Sequence, residues 1–162
     1  MGNEVEDVID KFKMDVLKRL RWRDLEVWQL SHKMVFSLYH LVAHFPNEEK
    51  YSLYDQIERS AVSVPANIVE EHARNSTKEF IRFCHISRGS LEELRYYLLL
   101  ARDLAYITET LYRDYEKRLT KISVKLNNFI HSLNEYFFPK LSSRVGQAPK
   151  LYQQPYPDFI LS

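Results

Sequence analysis

The chain has 162 residues, with 45% apolar residues, 28% charged residues and only three glycines. That length suits one domain, and so few glycines leave too little turn chemistry for an all-β sandwich or barrel. They also leave no G-x-G-x-x-G or G-x-x-x-x-G-K loop to cradle a phosphate, and a formal net charge of +1 argues against a strongly electrostatic nucleic-acid binder as a monomer, though not against a local basic stripe.

Residues 1–20 place Val5, Val8, Ile9, Phe12, Val16 and Leu20 mostly at spacings of three and four. This predicts a leading amphipathic helix within segment 1–21. A second helix is expected over 24–45 from Leu25, Trp28, Val35, Leu38 and Val42, with Asp24 as its N-cap. Phe45-Pro46-Asn47-Glu48-Glu49 stops that helix and opens the next, with acids in its first turn. Residues 48–73 carry Leu53, Ile57, Ala61, Val64 and Ile68. Pro65 lies inside this run, which predicts a kink or break near residues 61–64.

Ser76 with Glu79 forms a capping box for a long helix over 77–106. Thr108 and Glu109 start the last helix, which runs to about Phe138, before Pro139. Segment 139–162 combines prolines with Tyr152, Tyr156 and Phe159 and has little periodicity, so it reads as an extended tail. Residues 22–138 then form an all-α, antiparallel up-down four-helix bundle with short loops.

At 100° per residue, the third bundle helix gathers Phe80, Cys84, Ser87, Leu91, Leu94, Leu98 and Ala101 in one core arc. A second group, Ile86, Tyr97, Leu100 and Leu104, lies on another side with Arg82, Gly89 and Glu93. Arg88, Glu92, Arg95 and Asp103 form the solvated face. A helix apolar on two sides buries two sides, so this second row predicts self-association. Gly89 in mid-helix costs about 1 kcal/mol against alanine, and it is expected to permit close helix approach between subunits.

The last helix gathers Tyr112, Tyr115, Leu119, Ile122, Leu126, Phe129 and Leu133 in its core arc. Arg113, Lys117 and Lys121 fall opposite, with Arg118 and Lys125 on the flank. These five cations are the candidate nucleic-acid-binding residues, because cations in a row can track a phosphate backbone and weak contacts add in an oligomer.

Other chemistry is scarce. One cysteine, Cys84, cannot form an internal disulfide, which fits a reducing cytosol. Met1-Gly2-Asn3 starts like a myristoylation signal, but Glu6 stands where Ser or Thr is required. The N-terminus lacks a signal-peptide apolar core, and the longest apolar run, Tyr96 to Ala101, is too short to span a membrane. A cytoplasmic chain with no membrane partner is expected. His40 and His44 share a helix face and form at most a metal edge; Leu41 stands where a zinc-protease motif has its glutamate. Their position favours interaction with the helix C-terminal dipole, and no metal is assigned. Cys84 and His85 are adjacent and point about 100° apart, poor geometry for a nucleophile and its base. Asn67, Glu70 and Glu71 follow Pro65 and are expected to satisfy backbone groups freed there. No enzyme activity and no cofactor are expected.

Several motifs recur together in a known family. They include Arg23-Asp24-Leu25-Glu26-Val27-Trp28-Gln29, Phe45-Pro46 with Glu49, and Gln56-Ile57. Next comes Arg59-Ser60-Ala61-Val62-Ser63-Val64-Pro65-Ala66-Asn67-Ile68-Val69-Glu70. Lys78-Glu79-Phe80-Ile81-Arg82-Phe83, Arg88-Gly89-Ser90-Leu91-Glu92-Glu93-Leu94 and Ala101-Arg102-Asp103-Leu104 follow. From about Trp22 to Asn134 the chain resembles the four-helix bundle proteins encoded within intervening sequences of bacterial 23S ribosomal RNA genes. The resemblance implies a ring-like homopentamer. It also implies kinship with the accessory variability determinant of diversity-generating retroelements, which is similar in fold and binds nucleic acid and a reverse transcriptase.

By position, the family's polar pattern falls on Asn67, Glu70, Arg82, Arg88, Ser90 and Glu93. With Gly89 these are the candidate subunit-interface or structural polar residues. The family's usual Ala-Glu-Gly is here Val69-Glu70-Glu71, which replaces a flexible helix end with a charged one. The expected function is a non-catalytic, pentameric, nucleic-acid-associated scaffold whose partners are its own copies and RNA or DNA. The alternative is a protein-interaction module acting as the accessory subunit of a retroelement reverse transcriptase, with segments 1–20 and 145–162 as docking elements.

Overall fold

A computed structural model describes residues 21–72 and 77–137 of the chain. The leading helix over 1–20, the Ser76 half of the capping box and the tail 139–162 lie outside the described residues. Four α-helices make up the fold: α1 Glu26–Val42, α2 Leu53–His72, α3 Thr77–Asp103 and α4 Glu109–Phe137. Two short 3-10 turns, Trp22–Asp24 and Asn47–Tyr51, precede α1 and α2, and no strand occurs among the described residues.

The helices wrap one apolar core. α1 contributes Val27, Met34, Leu38 and Val42, and α2 contributes Leu53, Ile57, Ala61, Val64 and Ile68. The whole arc expected on α3, from Phe80 through Cys84, Ser87 and Leu98 to Ala101, is buried. On α4, Tyr115, Leu119, Ile122, Leu126, Phe129 and Leu133 are buried as expected, with Ile130 added and Tyr112 only half-buried. Fully burying one such leucine contributes about 1.5–3 kcal/mol, so the hydrophobic period fixes which face of each helix turns inward.

Contacts along neighbouring helices run in opposite numerical order. Glu26 meets Lys125 at 2.5 Å, and Ser37 meets Tyr115 at 2.8 Å. Gln56 faces Tyr97 at 3.5 Å, and Ser63 faces Ser90 at 2.9 Å. Phe80 and Phe129 stack edge-on at 5.8 Å, and Arg102 reaches Glu109 at 3.6 Å.

The structure departs from the sequence reading at several places, each for a local reason. Asp24 does not cap α1. Its carboxylate is held by the Arg21 guanidinium at 2.7 and 3.2 Å. The cap position falls to buried Leu25, whose side chain offers no hydrogen bond. Trp28 and Val35 are half-buried instead of central. They line a shallow groove against Val62, Pro65, Ala66 and Val69 of α2.

Pro65 does not interrupt α2, which is one helix from Leu53 to His72. The neighbourhood of Pro65 is instead stitched by side chains. Asn67 Nδ2 donates to the Ser63 carbonyl at 2.7 Å and to Ser63 Oγ at 2.9 Å. Ser87 Oγ, fully buried on α3, donates to the Val64 carbonyl at 2.9 Å. Serines on both sides meet at this α2–α3 seam, Ser63 with Ser90 at 2.9 Å and Ser87 with the Val64 carbonyl.

α3 ends at Asp103, earlier than the expected 106. Ala105 adopts φ 60°, the left-handed region. The Tyr106 N–H then donates to the Ala101 carbonyl at 2.9 Å, and the Ala105 N–H to the Arg102 carbonyl at 2.9 Å. This pair of bonds is a Schellman closure, a site where glycine is usual. Thr108 caps α4 as expected, its Oγ1 accepting from the Leu111 N–H at 3.2 Å.

Candidate functional site

Of the five cations expected to form a basic stripe on α4, three have their charge met within the chain. Arg113 pairs with Glu109 at 2.7 Å, Arg118 with Asp114 at 2.6 Å, and Lys125 with Glu26 of α1 at 2.5 Å. The first two follow from acids placed four residues earlier on the same helix. Lys117 and Lys121 are exposed and make no ion pair among the described residues. Val124, 52% exposed, continues their face. The free positive charge is therefore concentrated on one turn of α4 and not spread along its length.

Arg118 is further positioned from α1. Its guanidinium donates to Ser37 Oγ at 3.3 Å and lies 5.3 Å from the centre of the Tyr115 ring. Tyr115 is buried and shares a hydrogen bond with Ser37 at 2.8 Å. A buried phenol thus holds the serine that orients the arginine.

The residues expected at a subunit face divide into two groups. Asn67 and Ser90 turn inward and serve the α2–α3 seam through Ser63. Arg82, Arg88, Gly89 and Glu93 are exposed on α3, and Arg82 pairs with Glu79 at 3.4 Å. Glu70 is exposed at the groove beside Trp28. A Cβ built on Gly89 meets nothing within 4 Å, so within this chain the glycine permits no close approach. Ile86 is 41% exposed and Leu104 45%, whereas Tyr97 and Leu100 are half-buried against the core. Tyr96, 59% exposed, joins the same outer surface.

Arg95, expected on the solvated face, is instead half-buried. It bridges Glu92 on its own helix at 3.3 Å and Glu116 on α4. α4 covers that side of α3 at Arg95. Tyr112 Oη donates to the same Glu116 at 3.4 Å, and Arg102 stacks over the Tyr112 ring at 4.6 Å. Burial, before any charge, raises the Tyr112 pKa. These groups fasten α3 to α4.

His40 and His44 do not converge on an ion site. His44 Nδ1 bonds the His40 carbonyl at 2.8 Å, and no group of three potential metal ligands occurs among the described residues. Among those residues no helix is long and apolar enough to cross a membrane.

Two features had no clear sequence signal. The loop residues Glu49 and Tyr106 meet at 2.8 Å. Lys33 of α1 stands beside Arg118 and Lys121 of α4 at a groove of about 290 Å³. Both depend on which helices become neighbours, which no local pattern encodes.

No curated protein matches the chain. A solved structure, that of a protein of unknown function from the S23 ribosomal protein family of Bacteroides thetaiotaomicron VPI-5482, is 29% identical to it with a TM-score of 0.62. The alignment covers 67% of this chain and 97% of that one. Residues 23–128 match the sequence profile described as 23S rRNA-intervening sequence protein. That match takes in α1, α2, α3 and most of α4 with the loops between them, so the chain belongs to the 23S rRNA-intervening sequence protein family.

Proposed function

We propose that the chain is a non-catalytic, cytoplasmic, homopentameric scaffold that associates with nucleic acid. In this reading each subunit is an antiparallel up-down bundle, consistent with the opposite order of contacts along neighbouring helices. The observation that carries the nucleic-acid reading is the pair Lys117 and Lys121, one turn apart, exposed and without acid partners among the described residues. A net charge near zero makes one such patch weak. Repetition of the patch around a ring makes it effective by multivalency. Assembly is supported by the outer surface of α3, where Ile86 and Tyr96 are exposed on either side of Gly89, with exposed Leu104 just past the helix end.

The test is retention of structured RNA as a function of salt. Wild type is expected to bind at low salt and to weaken steeply as salt rises. Charge reversal at Lys117 and Lys121 should weaken binding evenly across sequences. Binding that is absent at low salt, or indifferent to salt, rejects the reading. Solution mass tests the assembly, and a monomer of 19.4 kDa rejects the ring.

A further inference from the structure

α1 and α4 pack less closely than the other adjoining helices. The gap between them is the groove of about 290 Å³ lined by Leu30, Lys33, Met34, Arg118, Lys121 and Ile122. Its floor is apolar: Met34 and Ile122 are buried and Leu30 is half-buried. Its rim is cationic on both sides, from Lys33 on α1 and from Arg118 and Lys121 on α4.

The charge pattern here differs from the rest of the same seam. One turn further along α4, Lys125 is met by Glu26 of α1 at 2.5 Å. At the groove, neither Lys33 nor Lys121 has an acid partner among the described residues. Like charges gathered over an apolar floor repel one another, and an anion with a flat apolar body relieves that repulsion while covering the floor. The volume of about 290 Å³ suits a single ring system.

We propose that this groove receives one unpaired nucleobase of an RNA strand. The base lies against Leu30, Met34 and Ile122, and the flanking phosphates lie on Lys33 and Lys121. The planar Arg118 guanidinium, held by Asp114 and Ser37, forms the wall on which the base edge rests. Bases that are unstacked in loops and bulges are the ones a protein surface can receive in this way. The proposal rests on the nucleic-acid reading above and adds a preference for single-stranded over paired RNA.

Methyl-labelled methionine gives a direct readout, because the full chain has only Met1, Met14 and Met34. Met34→Leu assigns the resonance from the groove. An RNA hairpin with an unpaired loop is expected to shift the Met34 signal, and a fully paired duplex is not. Lys33→Glu is expected to lower hairpin affinity about tenfold and duplex affinity less than twofold. If the hairpin binds but leaves Met34 unmoved, or binds Lys33→Glu as tightly as wild type, the groove proposal falls and the broader reading stands. If neither RNA binds at low salt, both fall. If polyglutamate shifts Met34 and the hairpin does not, the groove takes an acidic protein segment and the proposal is overturned.

Discussion

The Tyr106 hydroxyl donates to Glu49 Oε1 at 2.8 Å and joins the loop before α2 to the loop before α4. The same carboxylate accepts from the Ser52 hydroxyl and from the Leu53 N–H at 3.3 Å, at the start of α2. Phe45 packs on the Tyr106 ring at 5.4 Å and shields one side. One carboxylate therefore holds the first turn of a helix and a distant loop together.

This contact has a definite pH signature. Ser52 foremost, then Tyr106 and the Leu53 N–H, lower the Glu49 pKa below its ordinary 4.5. A lowered folded pKa contributes stability that is present above the unfolded value and lost as pH falls through the folded one. Glu49→Gln is expected to be less stable than wild type near neutral pH, and the two urea midpoints should converge below about pH 4.5. The Glu49 bond raises the Tyr106 pKa above 10.0, so that contribution persists through neutral pH and fades only in strong alkali. A gap that stayed constant across the acid range would show that ionisation of Glu49 is not coupled to folding.

Ala105 pays a backbone cost that glycine would not. A left-handed residue with a Cβ costs about 1–2 kcal/mol, partly offset in glycine by its freer unfolded state. Ala105→Gly is expected to stabilise the chain by about 0.5–1 kcal/mol. Ala105→Val should destabilise it, because a β-branched side chain fits that region worst. Chemical denaturation of the three proteins gives the order directly.

Ser87 is fully buried and donates across the seam to the Val64 carbonyl. Ser87→Ala is expected to cost about 0.5–1.5 kcal/mol by removing that bond. Ser87→Val should cost about 1–3 kcal/mol, because it also forces bulk into a fully buried position of the seam. If both variants matched wild type in thermal unfolding, the seam would be loosely packed.

Lys117 and Lys125 lie on one helix but should behave oppositely. Lys117→Ala is expected to reduce the slope of log affinity against log salt for RNA by about one. Lys125→Ala should leave that slope unchanged, since Glu26 already compensates its charge. It should instead cost a few tenths of a kcal/mol in stability, as half-exposed ion pairs do. Equal effects on the slope would show that the Glu26 pair opens on binding.

Periodicity made the core legible: the arcs expected on α2 and α3 are buried residue for residue. It failed where a side chain had a competing partner. Asp24 looks like a cap in one dimension, but Arg21 lies three residues away and takes it. Pro65 predicts a kink or break, yet α2 runs as one helix past it, with Asn67 and Ser87 bonded to the Ser63 and Val64 carbonyls beside it. α3 ends earlier than its sequence predicts because the closure at Ala105 lacks the glycine that normally announces it. The basic stripe on α4 lost three members to acids, two four residues earlier and one on α1. Lys33 entered the site from another helix, and helix neighbours are a property of the folded whole.

The open space around Gly89 makes it an attachment point. A side chain added there meets nothing within 4 Å, while Cys84, the one native thiol, is buried and shielded from reagents. Gly89→Cys can therefore carry a spin label at a single place on each subunit, and because this face is the proposed contact between copies, loss of assembly on labelling would itself locate the interface there. Pairwise dipolar spectroscopy then counts copies by geometry: a two-fold pair gives one interlabel distance, and a five-fold ring gives two. The residue that costs the helix stability becomes the vantage point from which the symmetry of the assembly is read.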